Sequence, residues 1–390
     1  MLLFNIFLLL IAAIAAFKHF TRRPIPKTVL GPLSKAVDPD VPSEPPAKKI
    51  ILVTGGCGFL GSTCVEQLAE QNEYDEIRVF DIVKGHLIDH PKVKFVQGDL
   101  TKLDVCLRVV DGCSAVLHIG AIVDMRESPF ATGLSQFINV QGTWNILEAS
   151  IRRGVRAFVY TSSNSTIHTN KPGVIAHNEQ DVLTLFANST PSTSYGRSKK
   201  AATQWVLATD KTARLRTVVL MPGPVLGPRE PRLLTPILDG SHVHLFEPQS
   251  SGSMNFCHSR SLASAHLLAA KRLLEGDKAV AGHLFMMSDG IEKVLQVEVI
   301  FRNALLKGPA KILGAFTHLL VAASFAINWI ANDRINNPLL QVTSTTVGLI
   351  FNGPVMASTS EAEQALGWKP SSMDLLVKDL VAYYKPGEQK

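Results

Sequence analysis

A chain of 390 residues, 46% of them hydrophobic and 18% charged, has the composition of a globular protein and room for one large domain or two modest ones. Its net charge of +6 is modest, and no long basic run or aromatic-basic interleaving marks a nucleic-acid surface, so no nucleic-acid partner is expected. Five cysteines, an odd number without a CxxC pair, speak against a disulfide or zinc framework and point to a reducing compartment.

Residues 1–17 are apolar apart from Asn5, and Lys18, Arg22, Arg23 and Lys27 follow them. A cleaved signal carries its charges before the apolar run, so the reversed order predicts an uncleaved transmembrane anchor over 1–17, near the short limit for a span. A cleaved signal is the alternative reading. The basic flank belongs on the cytosolic side and fits anionic headgroups, which makes membrane lipid an expected partner. Residues 18–48 are proline-rich and lack a hydrophobic period, which predicts a linker spacing the folded domain from the membrane.

From Lys49 short apolar, β-branched runs alternate with helical stretches. Strands are expected at 49–54, 76–81, 93–97, 115–119, 155–161 and 215–221. Helices are expected at 59–71, 137–153 and from Tyr195 to about 209. This alternation predicts an α/β fold, a doubly wound parallel (Rossmann) sheet over 49–222. A proline- and glycine-rich stretch follows Met221, and 223–390 is expected to form mainly a smaller substrate-binding region. Within it, 312–332 carries no formal charge and reads as a helix lying in a membrane interface or buried in a core.

Gly55, Gly58 and Gly61 make a GxxGxxG turn between the first strand and the first helix, which Phe59 and Leu60 open. Glycine allows the tight turn and close approach of a pyrophosphate, and the helix start offers unpaired N–H groups, so a dinucleotide is the expected cofactor. Asp81 ends the second strand, where a carboxylate accepts from both adenosine ribose hydroxyls and repels a 2′-phosphate. NAD is expected, with NADP left possible by Lys84; a strand-end turn aspartate is the bland reading. Asp99 and Leu100 follow the third strand, at the adenine or merely in a turn. Gly120 and Ala121 follow the fourth strand and let a cofactor lie close, while His118 reads as structural. Ser162 and Ser163 follow the fifth, where a hydroxyl can hold a substrate oxygen. Tyr195 and Lys199 are four residues apart, hence on one helix face, and an ammonium beside a phenol favours the phenolate. Asn-Ser-Thr sequons begin at Asn164 and Asn188; a glycan on the first would obstruct this site, which favours the cytosolic face.

Taken together, the run Val53 to Gly61, Leu117 to Asp124, Asn139-Val140-Gln141-Gly142-Thr143, Tyr160-Thr161-Ser162-Ser163, Tyr195 to Lys199 and Leu366-Gly367-Trp368-Lys369-Pro370 resemble the extended short-chain dehydrogenase/reductases, and among them the 3β-hydroxysteroid dehydrogenase family. The pattern is most similar to its membrane-associated sterol-4α-carboxylate 3-dehydrogenases (decarboxylating). The resemblance implies Tyr195 as acid/base, Lys199 as its partner, Ser163 as the catalytic serine with Ser162 as fallback, Asn139 as support of a proton relay, and Pro222 and Val225 beside the nicotinamide. Two departures stand out: Met221 where many relatives have arginine, and Asn164-Ser165-Thr166 after Ser163.

The resemblance further implies NAD(P)-dependent oxidation of a 3β-hydroxyl on a sterol or related triterpenoid, with loss of CO2 when a 4-carboxylate is present. It also implies residence at the endoplasmic reticulum membrane with the catalytic domain facing the cytosol, and dimers are common in the family, which leaves a homodimer open. The alternatives are a 3β-hydroxy-Δ5-steroid dehydrogenase/isomerase and, from another class, a non-catalytic NAD-binding membrane scaffold.

Overall fold

The computed structural model describes residues 27–41, 48–124, 129–167, 175–191, 193–210, 215–231, 253–293, 299–301, 304–305 and 356–385. In chain order the elements are β1 (Ile50–Thr54), α1 (Phe59–Gln71), β2 (Glu76–Asp81), β3 (Val93–Gln97), α2 (Leu103–Val110), β4 (Cys113–His118), α3 (Pro129–Ser135), a π-helical turn (Gln136–Gln141), α4 (Gly142–Arg152) and β5 (Ala157–Thr161). A 3-10 turn (Asn164–Thr166), β6 (Ile175–Ala176), α5 (Glu179–Asn188), α6 (Ser194–Asp210), β7 (Arg216–Pro222), β8 (Val225–Leu226) and β9 (Ser253–His258) come next. The chain continues with α7 (Ser259–Leu274), β10 (Leu284–Met287), β11 (Gly290–Lys293), β12 (Met356–Ala357), α8 (Ser360–Leu366) and α9 (Met373–Tyr384).

Seven parallel strands form the main sheet in the order β10-β7-β5-β4-β1-β2-β3. The apolar run of β1 explains its central place. Ile51 and Val53 join the core under α1 and α7, whereas Ile50 and Leu52 join the core under α2, α4 and α6. A strand buried on both faces needs apolar residues at every position. Each such side chain contributes roughly 1.5–3 kcal/mol by burial. The strand order reverses between β1 and β4, and ligands of such sheets bind at the carboxyl ends of the strands flanking that point.

The expected division at Pro222 does not coincide with the edge of the sheet. After β7 the chain returns to supply β10, which pairs with β7, and α7, which packs on α1. A smaller apolar core of Leu226, Phe256, Phe301, Leu305, Leu376 and Leu380 lies among the later elements.

The expectation of a spacer is corrected over residues 27–41, which lie along α4. Val29 N–H donates to Gln141 Oε1 at 2.7 Å, and Trp144 Nε1 donates to the Gly31 carbonyl at 3.0 Å. Ser34 donates to Glu148 through both N–H (2.8 Å) and hydroxyl (2.6 Å), and Arg152 pairs with Asp38 at 2.9 Å. Residues 141, 144, 148 and 152 recur at the steps that line one helix face. This stripe of Gln141, Trp144, Glu148 and Arg152 is the dock for the segment.

The expected helix 137–153 is divided. Its first part is the π-helical turn, where the Thr143 hydroxyl donates to the Asn139 carbonyl at 2.6 Å. Among the described residues no helix is long and apolar enough to cross a membrane. The expected anchor 1–17 and the uncharged segment 312–332 lie outside the described residues.

Candidate active site

The glycine turn is built for close packing. Gly55 has φ +64°, and a Cβ there would sit 2.6 Å from Gly120 Cα. A Cβ on Gly61 would sit 2.1 Å from the Gly55 carbonyl oxygen. Gly58 precedes α1 without a side-chain cap, and the first turn, opened by Phe59 and Leu60, has no acidic residue. The helix start therefore keeps N–H groups and positive dipole character for an anion. Asp81 lies beside this turn: its Oδ2 accepts from Cys57 N–H at 3.0 Å and its Oδ1 from Ile82 N–H at 2.8 Å. These groups fit a dinucleotide, the N–H donors of the helix start toward a pyrophosphate and the carboxylate as acceptor for ribose hydroxyls. Leu100 Cδ1 would lie 2.8 Å from a Cβ on Gly120, so Leu100 borders the same crevice, with Ala121 half-buried beyond it. Asp99 Oδ1 accepts from both the N–H and the hydroxyl of Thr101 at 2.8 Å, which shapes the turn. Pro222 closes β7, buried, and Val225 opens β8, half-buried.

One line of contacts runs from this turn to the lysine. Thr54, His118 and Tyr160 are neighbours in register across β1, β4 and β5. Thr54 Oγ1 and His118 Nδ1 are 2.7 Å apart, and His118 Nε2 is 2.9 Å from Thr143 Oγ1. Because Thr143 spends its proton on the Asn139 carbonyl, it accepts from His118 Nε2–H, and Nδ1 accepts from Thr54. Thr54 in turn accepts from Ile119 N–H at 3.2 Å and Gly120 N–H at 3.1 Å. His118 is thus a neutral link between strand ends. Burial, and then the charge of Lys199, push its pKa down to about 3. The His118 ring stacks on Tyr160 with centroids 5.5 Å apart, and Lys199 Nζ lies 4.5 Å from the Tyr160 centroid. Lys199 is only 2% exposed, and burial pushes its pKa down to about 7.

Tyr195, half-buried, precedes Lys199 by one turn of α6. The helix start is held by Thr193, whose Oγ1 accepts from Gly196 N–H at 2.9 Å. Asn139 holds α6 from the π-helical turn. Its amide donates to Ser198 Oγ at 3.0 Å and to the Ile122 carbonyl at 2.9 Å, while its Oδ1 accepts from Ile122 N–H at 2.9 Å. Ser198 passes its own proton to the Tyr195 carbonyl at 2.8 Å. The Asn139 side chain is therefore committed to joining the Ile122 backbone to α6, an arrangement that positions Tyr195.

The adjacent serines separate clearly. Ser162 is 2% exposed and bonds Thr203 Oγ1 at 2.7 Å. Since Thr203 donates to the Lys199 carbonyl at 2.8 Å, Ser162 is the donor, and its hydroxyl is spent on α6. Ser163 is half-buried, in extended backbone before the 3-10 turn. The two departures from the expected pattern also meet: Thr166 Oγ1 donates to Met221 Sδ at 3.6 Å, both side chains fully buried. Asn164 is only 3% exposed, a poor glycan acceptor in the folded chain. Tyr160, Gly196 and Ser198 lie inside the quoted motif stretches, but their contacts with Lys199, Ser165 and Asn139 are not readable from them, and Thr193 at the helix start lies outside those stretches.

Residues 52–300, more than half of the chain, match the sequence profile of the 3-beta hydroxysteroid dehydrogenase/isomerase family. A 3 beta-hydroxysteroid dehydrogenase/Delta 5-->4-isomerase of Mycobacterium tuberculosis is 31% identical over 247 residues, covering 61% of this chain and 64% of the relative. The short-chain dehydrogenase/reductase family 42E member 1 of Xenopus laevis is 30% identical, covering 63% of this chain and 64% of the relative. The chain thus matches less than two thirds of the length of these relatives. Among solved structures, a dTDP-glucose 4,6-dehydratase of Streptomyces venezuelae with NAD bound has a TM-score of 0.66 at 21% identity, covering 86% of this chain and 97% of its own. UDP-glucose 4-epimerase of Thermotoga maritima has a TM-score of 0.65 at 19% identity, covering 86% of this chain and 99% of its own. Those two likenesses concern the fold; the profile match across the glycine turn, the Tyr195–Lys199 helix and the returning β10 goes further, and by it the chain belongs to the 3-beta hydroxysteroid dehydrogenase/isomerase family.

Proposed function

We propose that this protein oxidises a 3β-hydroxyl on a sterol or related triterpenoid with NAD, NADP being the lesser possibility. The carrying observation is the line Thr54–His118–Tyr160–Lys199, which links the Tyr195 helix to the strand that leads into the glycine turn, across the point where the strand order reverses. The nicotinamide, when bound, supplies the hydride acceptor. Gly55, Gly58, Gly61 and the start of α1 receive the pyrophosphate, Asp81 the adenosine ribose, and Gly120, Ala121, Pro222 and Val225 border the remainder. Asp99 and Leu100 lie toward the adenine.

Tyr195, as the phenolate, takes the proton of the substrate hydroxyl, and Ser163 donates to the same oxygen. Lys199 favours the phenolate by its charge. Asn139, through Ser198, keeps the helix carrying both in place. On a substrate with a 4-carboxylate the product is a β-keto acid, which loses CO2 because the new ketone accepts the electrons. Decarboxylation then requires no further group from the chain.

The names of the relatives favour a second reading, oxidation followed by Δ5-to-Δ4 isomerisation. Incubation of the purified protein with NAD or NADP and a panel of 3β-hydroxysterols, with and without a 4-carboxylate, separates the two by product mass, CO2 release and double-bond position. Tyr195→Phe should lower turnover by orders of magnitude with NAD binding retained. A chain that binds NAD but reduces it with no sterol alcohol is the scaffold instead. Anchorage through residues 1–17 at the endoplasmic reticulum membrane, with the catalytic domain in the cytosol, belongs to the same reading and is supported by the order of apolar and basic residues. Fractionation with and without residues 1–26 tests it.

A further inference from the structure

We propose that Ser165 is a positioning residue that makes Ser163 a one-directional hydrogen-bond donor toward the substrate oxygen. This rests on the functional reading above in one respect, that Ser163 faces that oxygen. A serine hydroxyl has one hydrogen to give and two lone pairs to fill. Both lone pairs of Ser163 are filled from a single residue two positions on: Ser165 N–H donates to Ser163 Oγ at 3.2 Å, and the Ser165 hydroxyl donates to it at 2.9 Å. Among the described residues nothing accepts the hydrogen of Ser163 itself. Its orientation is therefore set by elimination, away from the 3-10 turn that supplies the two donors.

The turn is rigid enough to hold this order. Thr166 N–H donates to the Ser163 carbonyl at 3.1 Å, and Ile167 N–H to the Asn164 carbonyl at 3.1 Å. The Ser189 hydroxyl donates to the Thr166 carbonyl at 2.9 Å, and Thr166 is pinned to Met221. Ser165 is 8% exposed, so water competes little for its hydroxyl. Its carbonyl oxygen also lies 2.6 Å from where a Cβ on Gly196 would stand, so the same residue sets how close the Tyr195 helix comes to the serine turn. Ser165 thus touches the serine that addresses the substrate oxygen and lies against the helix that carries Tyr195.

The chemical consequence is selective. A hydroxyl whose lone pairs are filled binds an oxygen that accepts, and an oxygen losing its proton accepts more strongly than the starting alcohol. Loss of the Ser165 hydroxyl should therefore lower kcat and leave KM for the sterol and the affinity for NAD nearly unchanged.

The test is a double-mutant cycle on the full chain, using whichever 3β-hydroxysterol the wild type oxidises with NAD. S165A should lose about ten-fold in kcat, the worth of one oriented hydrogen bond, and S165T should recover most of it. S163A should lose more, and S163A/S165A no more than S163A. Should S165A lose its melting transition, S165C, of similar size with a weak donor, carries the same comparison. Full turnover in S165A or S165C, or losses that simply add in the double variant, would overturn the proposal. Full turnover in S163A would instead overturn the functional reading of Ser163, so the two failures are distinguishable.

Discussion

Lys199 and Tyr160 face each other inside the fold, ammonium nitrogen to ring centroid 4.5 Å, with 2% and 1% of their surfaces exposed. An ammonium removed from water is costly, and the face of an aromatic ring returns part of that cost, about 0.5–2 kcal/mol. The ring belongs to β5 and the lysine to α6, so the contact also fixes the helix on the sheet. Tyr160→Leu should lower kcat and move the alkaline limb of the pH–rate profile downward, because the charged lysine loses its partner. Tyr160→Phe keeps the ring and should stay near wild type. Profiles of the three proteins from pH 6 to 10 check this, and coincident limbs in wild type and Tyr160→Leu would remove the role.

Gly196→Ala should damage the site although it adds one methyl group. The new Cβ would stand 2.6 Å from the Ser165 carbonyl oxygen, a backbone atom that cannot swing aside. The helix start must move from the serine turn, at about 1–3 kcal/mol of stability and with turnover falling at least ten-fold. Thermal melts and steady-state kinetics measure both. Unchanged kinetics would mean that the Tyr195–Ser163 spacing is not set here.

The stability of the cofactor-free protein should rise from pH 7 to about 8, above which the thiols of Cys57, Cys64, Cys106, Cys113 and Cys257, all pushed up by burial, oppose the trend. Lys199 holds its proton up to about pH 10.5 in the unfolded chain but only to about 7 in the folded one, so the unfolded state binds more protons in that window. Lys199→Met should flatten the rise and raise stability at pH 7 by on the order of a few kcal/mol. On the acid side, burial lowers His118 to about 3 and His266 to about 4 from 6.5, so stability should fall as pH drops below about 6.5. Denaturant midpoints across pH, with and without Lys199, read these slopes.

The segment 27–41 should be released by removing its dock. Glu148 is 6% exposed and accepts twice from Ser34. Glu148→Ala should cost about 1–2 kcal/mol and speed tryptic cleavage after Lys35. Equal cleavage rates in wild type and variant would mean that these bonds do not hold the segment.

Asp81→Ala should weaken NAD and improve NADP, changing the ratio of kcat/KM by about ten-fold or more, as loss of a charge-assisted hydrogen bond and of a repulsion to a 2′-phosphate predicts. An unchanged ratio would place cofactor selection elsewhere.

The elements nearest the glycine turn were legible because each has a local cause. Helix α1 and strands β2 and β3 lie where periodicity and turn residues put them, and Tyr195 and Lys199 share a helix because their spacing requires it. Strand β10 was not legible: a four-residue apolar run, Leu284 to Met287, has no signal that tells it which strand it will join. The pairing with β7 is a long-range choice, settled by packing of α7 on α1.

The site divides in the same way. The sequence by itself determined which side chains can take a proton, hold a phosphate or accept from a ribose, because those capacities belong to residue types and short spacings. Only the tertiary structure decided that Ser162 spends its hydroxyl on Thr203 while Ser163 keeps its own, that Asn139 clamps the tyrosine helix, and that a proline-rich segment lies docked on α4. The physical reason is that a hydrogen bond consumes a donor or a lone pair, and which partner consumes it depends on residues 17 to 114 positions away in the chain, brought near only when both faces of the sheet are covered.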